Sequence, residues 1–64
     1  MVRVNSSAIE AVGYDAETRL MKVRFTSGRV YDFCGVPEHI YRGFLNAPSK
    51  GVYYNSHIKD RYPC

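Results

Sequence analysis

Tryptophan is absent from this chain, whose 64 residues include only 2 cysteines and 3 prolines. Without Trp, the packing of a small core falls to 6 Tyr and 3 Phe, because aromatic side chains bury large areas. A single bridge between Cys34 and Cys64 is the only one the composition allows. In a reducing cytosol, Cys34 reads instead as a small buried hydrophobe and Cys64 as a loose terminal thiol. No apolar run approaches the roughly 20 residues that cross a bilayer. The opening Met1–Asn5 has no signal-peptide core, so a cytoplasmic location without membrane contact is expected. Repeats, linkers and low-complexity segments are missing too. A chain this short makes one domain, and its core supplies only about 3–5 kcal/mol. Acidic residues are the scarcer charge: 6 against 9 Lys and Arg, a net +3 and a pI near 9.1. That balance favours nucleic acid or acidic protein surfaces without requiring either.

What is present is 45% apolar and patterned, which marks a folded chain. Residues 1–7 read as a tail and 8–62 as the single domain. Ala8–Tyr14 reads as a strand with Val12 and Tyr14 on one side, Ile9 out of phase, and Gly13 as a bulge position. Asp15 opens a turn by bonding its own backbone two residues on. Arg19–Phe25 is the clearest strand: Met21, Val23 and Phe25 alternate with Leu20, Lys22 and Arg24. Thr26-Ser27-Gly28 makes a tight hairpin, and Arg29–Cys34 returns with Tyr31 and Phe33 beside Met21, Val23 and Phe25.

Helices then cover the apolar side. Pro37 suits a helix start. Ile40, Tyr41, Phe44 and Leu45 form an apolar stripe, while Glu38, His39, Arg42 and Asn46 face outward. Gly43 weakens this helix by about 1 kcal/mol unless a close contact wants no side chain there. Pro48 ends it, and Ser49 caps a second helix reaching Ile58 or Lys59. On that helix Gly51, Tyr54, Asn55 and Ile58 share an inward face; Lys50, Tyr53, His57 and Arg61 share another. The expected class is α+β: a three-stranded antiparallel meander with two short helices packed on one face, β-β-β-α-α.

Four segments in this order resemble one family. They are V-G-Y-D (Val12–Asp15), V-x-F-x-S-G-x-V-Y-x-F (Val23–Phe33), G-V-P-x-x-x-Y (Gly35–Tyr41) and S-x-G-x-Y-Y-N-x-x-I (Ser49–Ile58). Together they resemble the KTSC domain, a module of bacterial and phage proteins also found at the C-terminus of some lysyl-tRNA synthetases. The resemblance covers about Ser6 to Tyr62. The family's Y-x-Y motif falls on Tyr31-Asp32-Phe33, where Phe33 lacks the second hydroxyl and so acts by packing. The resemblance implies no established activity. RNA binding is suggested for the family by its synthetase context.

The residues point the same way by a separate route. Phosphates need cations and unpaired bases need flat surfaces. Lys50, His57 and Arg61 with Tyr53 supply one such face; Lys22 and Arg24 on the open sheet face and Arg29 by the hairpin are secondary. The sheet lacks the exposed aromatic pair of an RRM platform. Tyr31, Phe33, Tyr41, Phe44 and Tyr54 read as core. Ser49 reads as a cap, Asn55 as a bond across the helix–sheet junction, and Gly51 as a close-packing residue. No catalytic motif is present. His39, His57, Cys34 and Cys64 are too scattered for a metal site, and neither a cofactor nor a small-molecule substrate is indicated. The expected function is a non-catalytic module binding RNA or other nucleic acid through the basic helix face. The alternative is a protein-interaction module of a bacterial, prophage or phage protein acting on a host partner, in keeping with the surplus of Tyr.

Overall fold

The alternating run Leu20–Phe25 is an interior strand, β3, in the computed structural model, which describes residues 1–64. Ile9–Asp15 (β2) and Val30–Phe33 (β4) flank it, and Val2–Arg3 (β1) adds a fourth strand beyond β2. All neighbours run antiparallel in the order β1-β2-β3-β4. The three-stranded meander is therefore present but extended. Part of the segment read as a tail supplies the extra strand: Val2 lies opposite Val12 and Arg3 opposite Ala11. A pair of residues is too short for hydrophobic alternation to mark it as a strand.

Met21 faces Phe33 and Val23 faces Tyr31 across β3 and β4, the register expected from the hairpin. Partners directly opposite share a sheet face. Val12 and Tyr14 join that inner face opposite Val23 and Met21. The irregularity in β2 falls between Ile9 and Ala11, not at Gly13. The extra residue there, Glu10, corrects the phase of Ile9, which is fully buried. Asp15 closes its turn by accepting from the Glu17 N–H at 2.9 Å. Gly28 takes φ 97° in the hairpin, a region costly for any residue with a Cβ.

Pro37 stands in extended backbone just before Glu38–Asn46 (α1). Phe44 is fully buried, and Ile40, Tyr41 and Leu45 are half-buried beside it. Ser49 caps Lys50–Tyr53 (α2), its hydroxyl accepting from the Val52 N–H at 3.4 Å. The helix then widens into a π turn over Tyr54–Ile58, closed by the Lys59 N–H donating to the Tyr54 carbonyl at 2.8 Å. Ile58 is fully buried. The core is Ile9, Val12, Met21, Val23 and Phe33 from the sheet, with Val36, Phe44 and Ile58 from the covering layer.

Gly43 has the close contact that its place in a helix calls for. Tyr53 crosses it, donates its hydroxyl to the Ile40 carbonyl at 2.9 Å, and sets its ring against Phe44. Gly51, read as a packing glycine, has open space where a Cβ would stand. Asn55 is exposed and bonds nothing across the junction, because the π turn redirects the wheel at that point. The cysteines, read as separate, are joined: Cys34 and Cys64 have Cα atoms 4.8 Å apart. The Cys34 N–H donates to the Tyr62 carbonyl at 3.0 Å, which brings the C-terminal residues beside the end of β4.

Gly43→Ala is expected to destabilise the fold by about 1–3 kcal/mol despite alanine's better helix propensity, because the methyl group overlaps the Tyr53 hydroxyl. Urea unfolding of Gly43→Ala, Tyr53→Phe and the double variant checks this. Non-additivity, with part of the loss recovered in the double variant, is the expected signature. For the bridge, Cys34→Ser with Cys64→Ser, or reduction, opens a loop of 30 residues. The chain-entropy relation gives a loss of about 3–4 kcal/mol, read as a lower thermal midpoint without change of fold.

Candidate nucleic-acid interface

The cations expected to contact nucleic acid divide over three surfaces. On the helix layer, α2 and the π turn carry Lys50, Tyr53 and His57. The Tyr53 and His57 rings lie 4.3 Å apart. Tyr53 is held by its bond to Ile40, and desolvation first, then the neighbouring Tyr62, raises its phenol above the usual value. Arg61 lies past the π turn, and its Nε donates to the Ser56 carbonyl at 3.1 Å. A groove of about 190 Å³ runs along this side between Pro48 and His57, with Val52 64% exposed at its wall.

Lys50 points elsewhere. Its ammonium donates to the Leu45 carbonyl at 3.1 Å and the Ala47 carbonyl at 2.6 Å. These are carbonyls at the end of α1, where no following turn satisfies them. A cation at a helix C-terminus is also favoured by the helix dipole. The residue that begins α2 therefore closes α1. Helical-wheel geometry places it on the basic face but cannot show where a four-carbon stem folds back.

The outer sheet face holds the second group. Arg24 lies opposite Ala11 on β2, and Arg3 lies opposite Ala11 from the other side. The three thus form one row across the sheet, continued by Val30 on β4. Arg3 and Arg24 are exposed and neither forms an ion pair. Lys22 stands in the next row with Gly13 and Asp32, and its ammonium is 3.6 Å from the Asp32 carboxylate. Arg3 joins this face only through β1, a strand too short for the sequence to signal.

Arg29 forms the third surface, at the hairpin. Its guanidinium donates to the Tyr31 hydroxyl at 3.3 Å. Tyr31, read as core, is 43% exposed: its register puts it on the helix side of the sheet, but the helix layer ends short of it. The other rings read as core are buried or half-buried. No three His, Cys, Asp or Glu side chains gather into a cluster sized for a metal ion.

The KTSC domain family model matches residues 5–62, nearly the whole chain. The chain belongs to the KTSC domain family. A KTSC domain protein of Yersinia pestis, solved by crystallography, superposes with a TM-score of 0.93 at 35% identity, covering 97% of this chain and 87% of that one. A protein of Tsukamurella paurometabola is 40% identical over 62 residues, 97% of this chain and 92% of its own length. A lysine–tRNA ligase of Nostoc punctiforme is 32% identical over 97% of this chain, which spans only 11% of that enzyme. The KTSC unit thus occurs both nearly alone and as a small part of a much larger protein. No helix here is long and apolar enough to cross a membrane.

Lys50→Met separates a structural role from a recognition role for Lys50. Loss of the two bonds to the end of α1 is expected to lower stability by about 1–2 kcal/mol in urea unfolding. An unchanged unfolding midpoint would return Lys50 to the set of free surface cations.

Proposed function

We propose that this KTSC domain is a non-catalytic RNA-binding module working in the cytoplasm. The principal contact surface in this reading is the outer sheet face, with His57 and Arg61 of the helix layer secondary. The observation that carries it is the cross-strand row in which Arg3 and Arg24 flank Ala11. Two exposed guanidinium groups without carboxylate partners stand either side of a small side chain, and Lys22 stands one row away. Guanidinium groups bind phosphate through paired N–H donors. The occurrence of the same unit inside lysine–tRNA ligases supports RNA over DNA. Binding through phosphates needs no reacting group.

A mixed-sequence single-stranded RNA of about 12 nucleotides is the probe. With two phosphate contacts from Arg3 and Arg24, the logarithm of affinity should fall with the logarithm of salt at a slope of about −1.4. Arg3→Glu with Arg24→Glu should weaken binding at least tenfold, with the unfolding midpoint little changed. Absence of binding at ~50 mM salt, or affinity indifferent to the double variant, sinks the reading.

A second reading has its own observation. Val52, 64% exposed, stands in the groove with Ala47, Pro48, Tyr53 and His57. Such a patch suits an apolar side chain of a protein partner, for instance a host protein met by a prophage product. A stoichiometric partner captured from nuclease-treated lysate, and lost with Val52→Asp, is the outcome that would favour it.

A further inference from the structure

Tyr31 is the unexplained aromatic of the fold. Its partner across the sheet, Val23, is fully buried, yet Tyr31 itself is 43% exposed. Its ring is braced edge-on by Phe25, with centroids 5.5 Å apart and planes at 79°. Its hydroxyl is held by the Arg29 guanidinium. These residues line an open cleft of about 480 Å³ with Ser7, Thr26 and Ser27, within the size range of small-ligand sites. The cleft contains one cation, the hydroxyls of Ser7, Thr26 and Ser27 beside the Tyr31 phenol, and no carboxylate. Thr26 is fixed there: its N–H donates to the Ala8 carbonyl at 2.9 Å and its hydroxyl to the Ser7 carbonyl at 3.4 Å. An exposed ring held in one orientation, beside a cation and hydroxyl donors, is what a nucleotide requires: a surface for the base and donors for the phosphate.

We propose that the hairpin cleft holds one nucleotide of a single-stranded RNA, its base stacked on Tyr31 and its phosphate on Arg29 with the Ser27 hydroxyl. This rests on the RNA reading above and adds a second surface to it. The two surfaces are contiguous along the chain. Arg24 precedes Phe25, and Arg29 precedes Val30, which ends the row containing Arg3 and Arg24. A strand whose phosphates cross the outer sheet face can pass over the hairpin end and place a base in the cleft. The site gives stacking without a hydrogen-bond code, so it should accept any base, pyrimidines and purines alike.

The test titrates the full isotope-labelled chain with uridine 5′-monophosphate, uridine and inorganic phosphate, and measures affinity for oligouridylate. With the monophosphate, shifts are expected at Ser7, Thr26–Arg29 and the Tyr31 ring; uridine alone and phosphate alone should each move a subset more weakly. Tyr31→Leu keeps apolar bulk but removes the aromatic face, and should weaken oligouridylate binding about 5- to 100-fold, whereas Tyr31→Phe should stay within about threefold of the parent. Arg29→Gln should abolish the phosphate-dependent part of the shifts. Shifts confined to other surfaces, or Tyr31→Leu and Tyr31→Phe behaving alike, overturn the proposal. Oligonucleotide binding that is lost with Arg3→Glu and Arg24→Glu but indifferent to Tyr31→Leu removes the cleft and leaves the sheet-face reading standing. Monophosphate bound in the cleft by a protein that ignores oligonucleotides overturns both readings as RNA sites.

Discussion

The crossing of Tyr53 over Gly43 is the contact on which the covering layer depends. Neither α1, with its 9 residues, nor the 4-residue α2 is long enough to be stable alone in water. They become one layer because the Tyr53 ring fits over the helix position that has no side chain, and its hydroxyl reaches the Ile40 carbonyl. Lys50 ties the same junction from the other direction through the last carbonyls of α1. Phe44 and Ile58, one from each segment, can then be buried together against Met21, Val23 and Phe33. A sheet with one apolar face needs such a cover, and the cover exists only as a pair.

That dependence decides which charges remain for a partner. Lys50 is committed to helix closure, Arg42 pairs with Glu38 one turn back, and Lys22 shares its charge with Asp32. Arg3 and Arg24 have no such engagement. On the sheet face away from the helices these two exposed guanidinium groups therefore carry charge that no carboxylate neutralises. Net charge alone does not carry this distinction, since a cation bound to its own backbone and one facing water count equally in it.

Period and turn chemistry were enough to read most of the architecture. The alternation in Leu20–Phe25, the Thr26-Ser27-Gly28 hairpin and the Ile40–Leu45 stripe each carry a pattern several residues long, and the register followed from them. What was missed lies at features of one or two residues. The strand Val2–Arg3 is too short for a period, and with it went Arg3. The β2 bulge falls at Glu10, while Gly13 carried the visible signal. The π turn over Tyr54–Ile58 leaves no mark in composition, so a helical wheel puts Asn55 on the inward face while the fold leaves it exposed. Tyr31 alternated correctly onto the inner face; its exposure depends on where the helix layer ends, which is a tertiary fact.

The bridge is illegible in the sequence for a different reason. Cys34 and Cys64 lie 30 residues apart, and compartment argued against joining them. Their approach follows from the C-terminal residues returning beside β4, where the Cys34 N–H meets the Tyr62 carbonyl and Tyr62 packs on the core. The turn that allows this return is at Asp60, held at φ 61°, a left-handed conformation that Asp adopts more readily than most residues. The hydrogen bond and the Tyr62 contact hold the same residues that the bridge ties, so all three act on one return of the chain.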